Sequence, residues 1–143
     1  MLRRKFIGIA IISVIVISLA SCTGVQKNKV KPGPSIAGLN LSGNWYSQEF
    51  GDMKLVHSGR TVRGTYEHRR GPDHNGRLRG RIMGDVLYVD WVQPGNIDAA
   101  IMPVKGKAWF RIARSGRKLA GRYGYDDSND DGGVWTADKS NYN

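Results

Sequence analysis

The sequence predicts an all-β protein, a small antiparallel up-and-down barrel of about eight strands, with a β-sandwich as the alternative. Apolar and polar residues alternate with period two through most of residues 39–143, which is typical of strands with one buried face. Turn residues interrupt this pattern at short intervals, and no segment sustains a helical period. A stretch of this length is expected to form one domain with one core.

Each strand follows from the alternation in one stretch of the chain. "LNLSGNWY" brings Leu41 and Trp45 to one face, and "RLRGRIMG" places Leu78 and Ile82 opposite three arginines. Turn signals such as "SGR", "MGD" and "NDDGG" separate these stretches. The predicted strands lie near residues 43–49, 52–57, 61–68, 76–83, 86–92, 107–113, 117–125 and 132–137.

Glycine recurs inside the predicted strands, two residues before a large side chain. Because glycine weakens a strand, repeated use points to strong coiling or to close packing over bare backbone. Small closed barrels need both, since their strands bend strongly. The pairs that favour a barrel over a sandwich are Gly43/Trp45, Gly64/Tyr66, Gly80/Ile82, Gly121/Tyr123 and Gly133/Trp135.

The first 21 residues differ in character from the rest. "MLRRKF" carries three cations and no acid, and an apolar run then extends to Ala20. A basic start, an apolar stretch of about 7–15 residues and small residues at its end are typical of a secretory signal. A membrane-spanning helix needs about 20 apolar residues, and this run is shorter, which disfavours the alternative of an uncleaved N-terminal anchor. Residues 1–21 are therefore predicted to be a signal peptide.

Cys22 is the single cysteine of the chain, and it follows this apolar run directly. "LASC" resembles the bacterial lipobox, whose cysteine is acylated and becomes the first mature residue. The resemblance implies that Cys22 is a lipid attachment site and that the protein is a membrane-anchored lipoprotein of the cell envelope. Enterobacterial lipoproteins held at the inner membrane carry Asp after this cysteine. Thr23 stands here, which implies an outer-membrane protein facing the periplasm in a Gram-negative cell.

Residues 22–38 are predicted to form a flexible tether, because they are rich in Lys, Pro and Gly and poor in large apolar side chains. Lys27, Lys29 and Lys31 lie close to the predicted lipid. Near an anionic leaflet each would add roughly 1 kcal/mol of attraction, although they could equally serve only solubility. The β domain is predicted to occupy residues 39–143.

Three short motifs resemble the opening strands of avidin-like barrels, which belong with the lipocalins in the wider calycin group. They are "LSGNWYSQ", "RGTYEHRRG" and "LRGRI". The resemblance implies a small barrel with a ligand site at one end. Tyr66 falls where avidins place a biotin-contacting Tyr, whereas Ser47 and His68 replace the Asn and Ser of that family.

Aromatic side chains are the candidates for a small-molecule site. A binding barrel lines its open end with aromatics and a few polar groups. The candidate ligand-binding residues are Trp45, Tyr66, Trp91 and Trp109, with Trp135 as a further aromatic of the same kind. The alternative is that these side chains fill the core.

The charge balance points to an anionic partner. The formal charge is +10 for the whole chain, and it is +7 without the three cations of the signal. Arg77, Arg79 and Arg81 alternate along one strand and therefore share one face. They are predicted to bind an anionic polymer or lipid headgroups, unless they only prevent edge pairing and aggregation. A second basic cluster comprises Arg111, Arg114, Arg117 and Lys118.

The acidic loop "DSNDDGGVWTAD" fits the pattern of a calcium loop, in which oxygen ligands alternate before a glycine. The candidate ligands are Asp127, Asn129, Asp131 and Asp138. The alternative is a polar hairpin turn, since Asp and Asn tolerate tight turn geometry. Apart from this possible Ca²⁺, no cofactor is expected.

The remaining classes of function have less support in the sequence. "EHRRGPDH" gathers acids and two histidines, but its Gly-Pro turn and two arginines favour a solvated loop over a metal site. No nucleophile elbow or phosphate loop is present in the sequence, so no enzymatic activity is expected. Nucleic acid is not an expected partner for an exported protein. Some small lipoprotein barrels inhibit host lysozyme, but lysozyme is basic and would repel a basic inhibitor.

Overall fold

The computed structural model describes residues 30–141 as a closed antiparallel barrel of eight strands, which confirms the predicted fold class. The predicted signal peptide, Cys22 and tether residues 22–29 lie outside the described residues. Within residues 30–141, no helix is long and apolar enough to cross a membrane. The strands are β1 (Gly43–Ser47), β2 (Gly51–Ser58), β3 (Thr61–Glu67), β4 (Gly76–Met83), β5 (Val86–Gln93), β6 (Val104–Ile112), β7 (Lys118–Tyr125) and β8 (Gly133–Lys139).

Each strand pairs with its sequence neighbours, and β8 returns to β1 to close the barrel. The pairing between β1 and β8 extends over few residues, with Trp45 opposite Lys139 and Tyr46 opposite Asp138. Turns 59–60, 84–85 and 113–117 lie at one end, called here the lower end. The longer loops 68–75, 94–103 and 126–132 lie at the upper end.

The inward positions of the strands form one packed core. Trp45, Trp135, Tyr66 and Phe110 are almost fully buried. Aromatic rings contact one another across the interior; the Phe50 and Trp135 ring centroids, for example, lie 4.1 Å apart. This density of buried aromatic surface is the main source of stability available to a chain of this size.

Glycine allows neighbouring strands to approach closely, as at Gly121. A Cβ atom added there would lie only 1.7 Å from the carbonyl oxygen of Trp109 on the adjacent strand. Any larger residue would therefore force the β6 and β7 backbones apart. The close approach is one reason that the strands of this narrow barrel carry internal glycines.

The chain before β1 is attached to the barrel instead of hanging free. Ile36 and Leu39 pack against the core, and Leu41 is fully buried at the lower end. The tether was expected to be flexible throughout, but its described part, residues 30–38, is held by this packing and by hydrogen bonds to β5 and β6. Flexibility was predicted from the small number of large apolar side chains, and composition does not indicate these polar contacts.

Candidate anion-binding groove

The arginines of β4 lie on the outer surface of the barrel. Arg77, Arg79 and Arg81 are exposed, while Leu78 and Gly80 between them and Ile82 after them are buried. The alternation follows from the pleat of the strand, which sends successive side chains to opposite faces. The β4 strand therefore contributes both to the core and to a charged outer surface.

A fourth arginine lies beside this row. Arg63 on β3 is the direct cross-strand partner of Arg79 on β4. Side chains at such positions have Cβ atoms about 4.5–5.5 Å apart, and like charges there destabilise the sheet. Thr65 is the partner of Arg77, and Thr61 is the partner of Arg81, so the like-charge contact is confined to one pair.

Arg63, Arg77 and Arg79 line an open groove of about 1160 Å³ that crosses the outer face from β2 to β6. Gly64, Leu78 and Trp91 contribute to its lining, and Val56 is exposed within it. Arg81 lies just below, in a smaller depression that it shares with Arg79 and Tyr88. The cations that line the groove are Lys54, Arg63, Arg77, Arg79, Lys105 and Lys107.

Acidic residues neutralise only one wall of the groove. Lys107 lies 3.5 Å from the carboxylate of Asp90 and 3.9 Å from that of Asp127. Arg79 is the cross-strand partner of Asp90, yet the ion pair of that carboxylate is with Lys107. Among the described residues, Lys54, Lys105 and the three groove arginines form no ion pair within 4.0 Å. Their positive charge is available to a ligand.

The second basic cluster predicted from the sequence is different, because most of its charges have partners. Arg111 pairs with Asp85 at 2.6 Å, and Lys118 lies 3.6 Å from Asp138. Arg117 donates to the carbonyl of Lys139 and to Asn141. These cations connect parts of the fold, and they do not form one surface with the β4 row.

Residues 30–33 run over the outer wall next to the groove, in a contact that we call the strap. The Tyr88 hydroxyl donates to the carbonyl of Val30, and Arg111 donates to the carbonyl of Lys31. The amide of Gly33 donates to the Asp85 carboxylate at 2.6 Å. The Gly33 hydrogen bond, assisted by Arg111, lowers the pKa of Asp85.

The four aromatic candidates do not meet in one ligand site. Trp45, Tyr66 and Trp91 are buried members of the core. Trp109 lies half-buried on the outer face, where it is the partner of Tyr88 and Arg122. The Tyr66 hydroxyl is buried beside Gln93, without a hydrogen bond of good geometry among the described residues. Burial raises the pKa of Tyr66 above its usual range.

The calcium-loop candidates are divided between the two ends of the barrel. Asp127, Asn129 and Asp131 lie in the upper loop, whereas Asp138 lies near the lower end of β8 beside Lys118. Asp131 accepts a hydrogen bond from the Tyr125 amide, as in a polar turn. Within residues 30–141 no group of three or more His, Cys, Asp or Glu side chains is placed to hold a metal ion.

The histidines of the "EHRRGPDH" segment lie at the upper end. The rings of His68 and His74 are 5.6 Å apart, and His68 also packs edge-on against Phe50. Burial lowers the pKa of His68, and the nearby His74 and Arg70 lower it further. The Asp73 carboxylate accepts from Asn96, which ties this loop to the β5–β6 loop.

No protein-family model, curated protein or solved structure matches this chain. The groove must therefore be interpreted from its own chemistry. The sequence alone did not identify Lys54, Arg63, Lys105 and Lys107 as members of the groove. Alternation around Arg63 places it on the outer face, but its position opposite Arg79 depends on the register between strands.

Proposed function

We propose that the protein is a non-catalytic, lipid-anchored component of a bacterial envelope, whose barrel binds an anionic envelope component through the outer groove. The ligand class is a phosphate-bearing surface or polymer. Guanidinium groups suit such a ligand because they donate two parallel hydrogen bonds to phosphate oxygens.

The Arg63–Arg79 pair carries this proposal. A sheet that served stability alone would be better off with an opposite-charge pair at these positions. Here two arginines face each other, with Arg77 on the same wall and no ion pair to offset them among the described residues. Anion binding would relieve their repulsion, which gives the arrangement a physical purpose.

The filled interior supports an outer site over an inner one. The buried aromatic side chains occupy the space that a ligand would need in a hollow barrel. The groove instead offers open volume together with uncompensated charge. Binding at the outer face leaves the core undisturbed.

Vesicle binding by the lipid-free chain, residues 23–143, tests the groove. We expect binding to phosphatidylglycerol-containing vesicles that weakens steeply with salt. At roughly 1 kcal/mol per cation, replacing Arg63, Arg77 and Arg79 with Gln should weaken binding about 100-fold. The control replaces three exposed cations outside the groove, Arg70, Arg114 and Lys118, and should bind nearly as the wild type does. Equal losses in both triple variants would show that only net charge matters, and would defeat the proposal.

Lipid attachment has its own test. Cells fed a palmitate analogue should label the wild-type protein, and Cys22→Ser should abolish both the label and membrane retention. A Ser variant that still carries the label would refute the anchor without affecting the groove.

A further inference from the structure

The strap and the groove lie on the same wall of the barrel. Resting on the proposed function, we infer that the barrel lies with its groove against the leaflet that holds its own lipid anchor. The groove cations then bind the phosphates of anionic phospholipids in that leaflet. The anchor delivers the protein to the membrane, and the groove sets the face that it presents.

The hydrogen bonds of the strap fix where the N-terminal chain meets the barrel. Val30 is held by the hydroxyl of Tyr88 on β5. Tyr88 is the cross-strand partner of Arg81, and the next outward residue of β5 is Asp90, which lines the groove. The chain therefore arrives next to the row of β4 arginines, and not at the opposite wall formed by β8 and β1.

Chain length keeps the lipid close to this point. Eight peptide steps separate Cys22 from Val30. At a maximum of about 3.5 Å per residue, the acylated cysteine lies within about 28 Å of Val30, whatever path the chain takes. The β5 wall has the shortest route to the bilayer, while the far wall requires the link to pass around the barrel.

The charges on this wall match an anionic leaflet. Lys31 is exposed in the strap, and Lys27 and Lys29 precede it in the sequence. Lys31 and the groove cations therefore place positive charge on the wall to which the N-terminal chain is attached. A bilayer that holds the anchor would meet this charged wall, whereas a free polyphosphate chain has no link to the tether.

Site-specific fluorescence on the lipidated full chain tests this orientation, since Cys22 is acylated and an introduced cysteine is then the single free thiol. Val56→Cys and Thr65→Cys place the fluorophore in the groove, and Val134→Cys places it on β8 at a comparably exposed valine. The protein is inserted into vesicles of phosphatidylcholine with phosphatidylglycerol that carry a headgroup quencher. Two groove positions guard against a label that itself blocks docking.

We expect about twofold stronger quenching at positions 56 and 65 than at position 134, and loss of this difference in high salt. The difference should also vanish when Arg63, Arg77 and Arg79 are replaced with Gln, and in vesicles of phosphatidylcholine alone. Equal quenching at the three positions, or stronger quenching at position 134, would overturn the inference. If the lipid-free chain binds soluble polyphosphate while the groove labels stay unquenched, the proposed function survives and the membrane orientation does not. If the lipid-free chain binds no anion, the proposed function fails as well.

Discussion

The inner and outer faces of the same four strands, β3 to β6, differ in both burial and charge. Tyr66, Leu78, Trp91 and Phe110 point inward and are buried in the core. The outward neighbours include Arg63 and the arginines of β4, which are exposed. A single strand thus contributes to stability at one residue and exposes uncompensated charge at the next.

This difference separates the residues that hold the fold from those available for binding. Removing buried aromatic surface costs stability through lost transfer free energy and through the cavity left behind. Exposed charges contribute little, and the Arg63–Arg79 contact works against the sheet. The two faces should therefore respond differently to substitution.

The interior should show the largest loss of stability. Trp135→Ala removes the ring that contacts Phe50, Phe110 and Tyr66, and should lower the free energy of unfolding by about 3–5 kcal/mol. Chemical denaturation monitored by circular dichroism measures this loss. Trp109→Ala on the outer face is the matched control and should cost clearly less. Similar losses for the two tryptophans would contradict the division between the faces.

The strap should contribute an intermediate amount. Asp85→Asn weakens the contacts with Gly33 and Arg111, and should cost about 1–2 kcal/mol after allowance for partial exposure. Because the folded pKa of Asp85 lies below its ordinary 3.8, its contribution is present above that pH and is lost as the pH falls further. Denaturation curves at pH 5 and pH 2.5 should differ less for Asp85→Asn than for the wild type. The control, Asp98→Asn in the exposed β5–β6 loop, should lose as much stability between pH 5 and pH 2.5 as the wild type. If Asp85→Asn also loses as much as the wild type, Asp85 does not cause the pH dependence.

A charge reversal in the groove should raise stability while it lowers binding. Arg63→Glu converts the like-charge pair with Arg79 into an opposite-charge pair, with an expected gain of up to about 1 kcal/mol. Affinity for anionic vesicles should fall at the same time. Chemical denaturation and vesicle sedimentation of one preparation measure the free energy of unfolding and the affinity. If Arg63→Glu is less stable than the wild type, Arg63 stabilises the fold and the pair with Arg79 is not unfavourable.

The smallest effect is expected at the upper end, from His68. Its folded pKa lies below the ordinary 6.5, so stability is full above that pH and declines as the pH falls through the folded pKa. His68→Gln should flatten the stability profile between pH 7.5 and pH 5. If the stability of His68→Gln falls as steeply with pH as that of the wild type, another group causes the pH dependence.

Alternation along the chain predicted the class of fold and the outward direction of Arg77, Arg79 and Arg81, because side-chain direction in a strand is a local property. It did not predict that Arg63 faces Arg79, since pairing register depends on loops and closure. Strand limits also shifted: β6 begins at Val104 instead of near residue 107, and β8 extends to Lys139 instead of ending near residue 137. The strap was missed because it depends on hydrogen bonds between residues more than fifty positions apart, such as Gly33 and Asp85.

Thermal unfolding with and without an anionic ligand tests the central claim most directly, because one measurement reports both stability and binding. Residues 23–143 and the variant with Arg63, Arg77 and Arg79 replaced by Gln are melted alone and with phosphatidylglycerol vesicles. Without vesicles the two should melt at nearly the same temperature, since exposed substitutions change stability by about 0.5 kcal/mol or less. With vesicles, the melting temperature should rise for the wild type and remain fixed for the variant. A variant that melts well below the wild type without ligand, or that gains as much from vesicles, would contradict the claim that the outer face binds anions while the inner face holds the fold.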